Sequence, residues 1–270
     1  LPFTTSLLKD VFRRQNPQGT NRDLLALWAM TGGVARYVEI FVDDDALSRP
    51  AMLETVFGLS SSYVDEGRVA LGEEFGKDCG VYFSILSAIA SGRTSYAEIR
   101  NVIGADVGGQ LTKLESVYSF IKKVQPFRER SATRNFLYQI DDEFFRFWFR
   151  FVLKYQHLLA QKQYAAVRAV VDRDFDASAG RSLERYFRAK FLEEGRYTRI
   201  GGWWDRKGEN EIDLVCANEL TGALDFFEVK SDATRFSPAA LEAKVANFFV
   251  KNPDLRKDRH LVSGLSLDDM

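Results

Sequence analysis

The chain has 270 residues, 46% hydrophobic and 28% charged, with a formal charge of -1. That is a soluble globular composition, long enough for two or three domains. It contains no signal peptide and no apolar run of about 18 residues, which argues against export and against a membrane span.

Cys79 and Cys216 have neither metal-ligand nor disulfide spacing, so a reducing, cytoplasmic setting is expected. His157 and His260 do not point to zinc. The sequence opens LPFTT, without Met, which reads either as processing or as a piece of a longer protein.

Residues 1–60 read as helical. SLLKDVFRR is a short amphipathic helix and QNPQGTN a loop. NRDLLALWAM is a second helix, with Asn21 as its cap and Thr31-Gly32-Gly33 as its terminator. VARYVEIFVDD and DDDALSRPAMLETVFG continue as two more. The Gly pair belongs to no phosphate-binding loop, because no Gly-rich segment here ends in Lys-Ser or Lys-Thr.

Between 68 and 150 the pattern is more regular. FGKDCGVYFSILSAIASG has apolar residues at 81, 82, 85, 86 and 89, the spacing of one helical face. Gly92 ends that helix, and Thr94 or Ser95 opens SYAEIRNVIG. GADVGGQLTKLESVYSFIKKV forms a third, with Leu111, Leu114, Val117, Tyr118 and Ile121 as its buried stripe, and NFLYQIDD a strand.

Three helices followed by a β-ribbon is the order of a winged helix, a relative of the helix-turn-helix. The basic residues Lys113, Lys122, Lys123, Arg128, Arg130 and Arg134 form a patch there. It reads either as a nucleic-acid contact or as a solvated face. FFRFWFRFVLKY exceeds one apolar stripe and is expected to be a helix buried on more than one side.

The last domain begins near residue 172. Ser182 is expected to cap SLERYFRAKFLEEG, where Glu184, Phe187 and Phe191 share a face. Glu184 is either part of a site or an acid favoured by the helix dipole. EIDLV and FFEVK then form adjacent strands carrying Asp213, Glu228 and Lys230, with Glu228 and Lys230 pointing the same way.

FFEVK is too apolar for a surface edge, so its charges need a partner or a function. Two carboxylates beside a lysine suit Mg²⁺ or Mn²⁺ and the attack of water on a phosphoryl group. Ser237 and Pro238 open the helix SPAALEAKVANFFVKN, in which Lys244 looks toward the carboxylates, and RHLVSGLSL is a last strand.

Glu184, Asp213, Glu228-Val229-Lys230 and Lys244 in this order resemble the PD-(D/E)xK nuclease-like fold, although no proline precedes Asp213. More widely, TGGVARYVEIF, YFSILSAIASGRTSYAEI, YQIDDEFFRFWFRFV, IGGWWDRKGENEIDLV and FFEVK resemble the C-terminal part of a prokaryotic AAA-type ATPase family of archaeal and Bacteroidetes type. Those proteins end in a PD-(D/E)xK-like domain of unknown function, DUF234.

The resemblance implies a multidomain α and α/β chain. Residues 1–67 would be a helical ATPase lid, 68–150 a winged helix, 151–171 a helical linker, and 172–270 a restriction-endonuclease-like α/β/α domain. It implies catalytic roles for Asp213, Glu228, Lys230, Glu184 and Lys244, with Mg²⁺ or Mn²⁺ on Asp213, Glu228 and Glu184. It implies DNA as partner, contacted through the winged helix, an N-terminal ATPase domain beyond this chain, and room for an oligomer.

The same resemblance implies that Arg36 lies near the position of a second-sensor arginine acting on nucleotide. With no phosphate-binding loop, ATP binding belongs to a full-length protein and not to this chain alone. Two functions follow: metal-dependent phosphodiester hydrolysis, or a non-catalytic DNA- or protein-binding output module that keeps the nuclease-like fold as scaffold.

Overall fold

The computed structural model describes residues 2–59, 61–75, 79–128, 135–205, 208–255 and 260–270. The helices are α1 (Thr5–Gln15), α2 (Asn21–Thr31), α3 (Ala35–Asp43), α4 (Arg49–Val56), α5 (Ser62–Phe75), α6 (Cys79–Ala90), α7 (Tyr96–Ile103), α8 (Gly108–Ser116), α9 (Glu143–Phe147), α10 (Gln156–Ala160), α11 (Tyr164–Glu193) and α12 (Pro238–Lys251). The strands are β1 (Ile121–Val124), β2 (Leu137–Ile140), β3 (Arg199–Trp204), β4 (Glu211–Asn218), β5 (Ala223–Val229) and β6 (Val262–Leu265).

Two compact units divide the chain. One takes in residues 1–3, 10–124 and 136–177, the other 4–9, 125–135 and 178–270. The last division falls inside α11.

The first unit is mostly helical. Thr20, not Asn21, caps α2, in a reciprocal box with Asp23, and Gly32 ends the helix in the left-handed conformation at φ 58°. The aromatic segment expected to be buried on several sides is so: Phe144, Phe147, Trp148, Phe149, Phe151 and Val152 are all buried. It forms α9 and then a π-helical stretch, Trp148–Leu153. Phe144 stacks on Tyr37 with ring centroids 3.9 Å apart, and Tyr63 donates its hydroxyl to the Met30 carbonyl at 2.6 Å.

Helices α6, α7 and α8 precede the antiparallel ribbon β1–β2, paired from Ile121↔Ile140 to Val124↔Leu137. The third helix stops at Ser116 rather than running on to residue 124. Ser119 sits at φ 55°, a left-handed turn that no helix continues through, and IKKV beyond it pairs as a strand. Val117, expected in the buried stripe, is therefore exposed.

The second unit holds a four-stranded sheet in the order β3-β4-β5-β6, antiparallel except for the parallel pair β5–β6. Helix α12 covers one face. Its Leu241, Val245, Phe248 and Phe249 pack with Trp203, Ile212, Val215, Leu224 and Phe226 in a buried core. Ser237 caps α12 and Pro238 is its first residue, as the sequence predicts.

Two features differ from the sequence reading. RIGGWW is a strand, β3, which pairs antiparallel with β4 from Arg199↔Ala217 to Trp204↔Glu211 and buries Ile200 and Trp203 on either side of a glycine pair. Ser182 is not a cap: it lies buried in the middle of the continuous α11, so Glu184 is not at a helix start and the dipole account of it falls away.

Candidate acidic site on strands β4 and β5

The site begins with an irregularity in pairing. Gly201 faces Val215 across the β3–β4 ladder and Trp203 faces Ile212. Two residues, Asp213 and Leu214, thus stand against Gly202 alone, the count of a β-bulge. The bulge explains how Ile212 and Val215, three apart, both join the core beneath α12.

On the other side of β4, the last backbone pair with β5 is Leu214↔Phe227. Past that point a side chain continues the ladder: the Val229 amide donates to Asp213 Oδ2 at 2.7 Å.

Glu228 is the centre of charge. Its side chain is only 10% exposed, and Oε1 accepts from Lys230 Nζ at 2.8 Å and from Lys244 Nζ at 3.3 Å. Its other oxygen, Oε2, is buried and has no hydrogen-bond partner. Lys244 reaches the carboxylate from α12, between the buried anchors Leu241, Val245 and Phe248. Glu228 pairs in register with Gly264 of β6, and the Lys230 amide continues that ladder by donating to the Leu265 carbonyl at 2.9 Å.

The electrostatics follow from burial and neighbours. Burial, the largest influence, pushes the Asp213 carboxyl above its ordinary value. The Val229 amide and the Lys230 charge pull it back, while Glu211 and Glu228 push it up again. Burial acts on Glu228 in the same sense, but the bonds and charges of Lys230 and Lys244 outweigh it and hold that carboxyl below its ordinary value. Burial alone would lower the Lys230 ammonium; its bond to Glu228 and the charges of Asp213, Glu228 and Glu184 raise it instead.

Of the expected site residues, Asp213, Glu228, Lys230 and Lys244 come together, and Glu184 joins them through its charge on Lys230. Arg36 belongs to the other unit, where it pairs with Glu66 at 2.6 Å with its side chain mostly exposed. Among the described residues no group of three or more His, Cys, Asp or Glu side chains is placed to hold a metal ion.

Within the basic patch, Lys122 pairs with Asp141, Lys123 with Glu115 at 2.6 Å, and Arg128 with Asp254 at 2.9 Å. Lys113 is exposed, and Arg130 and Arg134 lie outside the described residues. No helix among the described residues is long and apolar enough to cross a membrane.

Sequence reasoning missed Asp225, a buried acid two positions into β5. Its Oδ2 accepts from the Tyr197 hydroxyl at 2.7 Å and from Arg196 Nη2 at 3.4 Å, and its Oδ1 from the Leu261 amide at 3.2 Å. The trace was there to read: an acid in the apolar run ALDFFEV needs the same explanation as Glu228 does. Cys216, opposite Asp225, is fully buried; burial and the Asp225 charge push its thiol up to about 12.

Residues 148–240 match the model of the DUF234 family, described as archaeal and bacterial proteins of unknown function. An uncharacterized protein of Methanocaldococcus jannaschii is 30% identical over 159 residues, which cover 55% of this chain and 35% of that relative. The match thus spans about a third of the relative's length. No solved structure matches.

Proposed function

We propose that the second unit is a metal-dependent phosphodiester hydrolase in which Asp213 and Glu228 hold a divalent cation and Lys230 serves the chemistry. One observation carries the reading: Glu228 Oε2 is buried without a partner beside Asp213, whose carboxyl burial drives toward protonation. The first is an acceptor atom left unfilled, the second a carboxylate short of positive charge. Two carboxylates suffice for Mg²⁺, which usually keeps several waters and takes substrate phosphate oxygens as further ligands.

A bound ion of this kind supplies Lewis-acid polarisation of a phosphoryl group. The chain's own residues do the rest. The Val229 amide fixes one oxygen of Asp213, leaving the other for binding. Lys230, held at 2.8 Å from Glu228 and kept protonated by its acidic neighbours, orients the attacking water or neutralises charge that develops on the phosphoryl oxygens.

Nucleic acid is the substrate class in this reading, with DNA foremost. The order α6, α7, α8, β1, β2 supports a winged-helix contact. The ion pairs of Lys122 and Lys123 are no obstacle, since exposed pairs contribute about 0–1 kcal/mol and phosphates can replace their carboxylates. Kinship with the AAA-type ATPase family belongs to the same proposal, resting on TGGVARYVEIF and on the greater length of the relative.

A second reading has its own observation. Glu228 Oε1 is already held by two ammonium groups, the state of a carboxylate kept as scaffold in a non-catalytic output module. Calorimetric titration of Mn²⁺ into the wild type and Asp213→Ala separates the two. Saturable binding lost in the variant, followed by cleavage of single- or double-stranded DNA that Lys230→Ala abolishes, is the expected result. Absence of binding in the wild type, together with no cleavage, would leave the scaffold reading standing.

A further inference from the structure

We infer that Lys244 sets the metal affinity of the acidic site from α12, by competing with the incoming ion for the Glu228 carboxylate. This rests on the reading of Asp213 and Glu228 as the metal-holding pair.

Lys230 and Lys244 both donate to the same oxygen, Oε1, at 2.8 and 3.3 Å. A carboxylate oxygen has two lone-pair sites, so these two donors fill it. Oε2 is left, buried and without a partner. An ion that engages Glu228 must therefore settle for Oε2 alone or displace an ammonium.

The two lysines are not equivalent. Lys230 follows directly on β5 and feels the charges of Asp213, Glu228 and Glu184 together. Lys244 comes from the covering helix, where buried Leu241, Val245 and Phe248 fix its approach. Its contact with Glu228 is the longer of the two.

A positive charge held so near a divalent ion, in a partly desolvated setting, opposes binding far more than it would in water. Lys244 is thus a positioning residue that acts through Glu228. It occupies the carboxylate when no ion is bound and gives way when one arrives.

The test is calorimetric titration of Mn²⁺ into the full chain and into Lys244→Met, Lys244→Gln and Lys244→Arg, with Asp213→Ala as reference. Removing the charge in Met or Gln is expected to tighten Mn²⁺ binding by about tenfold or more, while Arg, which keeps it, stays within about threefold of wild type. A merely structural lysine would change the unfolding temperature and leave the affinity alone, so thermal unfolding of each variant is read alongside. The Gln variant, which keeps a donor toward Glu228, serves if the Met variant does not fold.

If Met and Gln bind Mn²⁺ no more tightly than wild type while Asp213→Ala loses it, the role assigned to Lys244 is wrong and the metal site stands. If none of these proteins binds Mn²⁺, or Asp213→Ala binds it as well as wild type, the metal site itself is wrong and the inference goes with it.

Discussion

Strand β5 carries a buried carboxylate near each end, and the two are served very differently. At Asp225 the acceptors meet a tyrosine hydroxyl, an arginine and a backbone amide. At Glu228 two ammonium groups crowd one oxygen and the other has nothing. Burying a charged group is costly unless its hydrogen-bonding capacity is met. Asp225 is a completed structural network, tying β5 to the segment before β3 and to the one before β6. Glu228 is an incomplete one, with one acceptor atom unfilled, and the proposed metal site rests on that difference.

The widest gap between the two ends is expected in stability. Asp225→Ala leaves the Tyr197 hydroxyl and the Leu261 amide without their acceptor and should cost about 3 kcal/mol. Glu228→Ala should cost about 1 kcal/mol or less, because Lys230 and Lys244, 36% and 27% exposed, can turn to water. Denaturant unfolding of both variants checks this. Equal losses would erase the contrast and return Glu228 to the structural class. Mn²⁺ binding sharpens it in the opposite sense: Asp225→Ala, where it folds, should keep the site, and Glu228→Ala should lose it.

A second test concerns the neighbour strand at the Glu228 end. A Cβ added at Gly264, the β6 partner of Glu228, would lie 2.5 Å from Cγ of the Phe236 ring. Gly264→Ala is therefore expected to destabilise by about 2 kcal/mol, as overpacking does. Combining it with Phe236→Ala, which removes Cγ and the ring, should show part of the loss recovered, a coupling that a thermal double-mutant cycle would detect. Full additivity would show that the ring is not what makes glycine necessary there.

Much of this end was legible in the sequence, for definite reasons. EIDLV and FFEVK announce paired strands, and charges in so apolar a strand demand explanation. Ser237-Pro238 fixes the start of α12, so Lys244 falls a predictable number of turns from it and meets Glu228. What stayed hidden depends on tertiary pairing. The two-against-one count at Asp213 and Leu214 leaves no mark in residue types beyond the glycines of β3. Ser182 has every local property of a cap, yet packing carries α11 straight through it. IKKV continues a plausible helical stripe until Ser119 turns left-handed and β2 takes it as a strand. Asp225 has no partner next to it in the chain; Arg196, Tyr197 and Leu261 reach it only through tertiary pairing.

The smallest expected effect is also the one that runs against intuition. Asp213→Asn should stabilise the metal-free protein at neutral pH by about 1 kcal/mol, the scale of a single favourable substitution, while abolishing Mn²⁺ binding. The Asn carbonyl can still accept from the Val229 amide, so the variant removes the buried charge and keeps the hydrogen bond. The pH dependence carries the sign. Because the folded Asp213 carboxyl sits above its ordinary value of 3.8, its contribution to stability is fully present below that value and is lost as pH rises through the folded one. The advantage of Asn over Asp should accordingly be absent in acid and open as pH rises toward neutrality. Glu228, whose carboxyl is shifted the opposite way, keeps Lys230 and Lys244, the groups that lower it, in both proteins. Unfolding temperatures of the two proteins between about pH 4 and 8 decide it, the window set by the ordinary carboxylate range. A gap that stays constant or closes as pH rises would show that Asp213 is as well satisfied as Asp225, and the contrast between the two ends would rest on Glu228 alone.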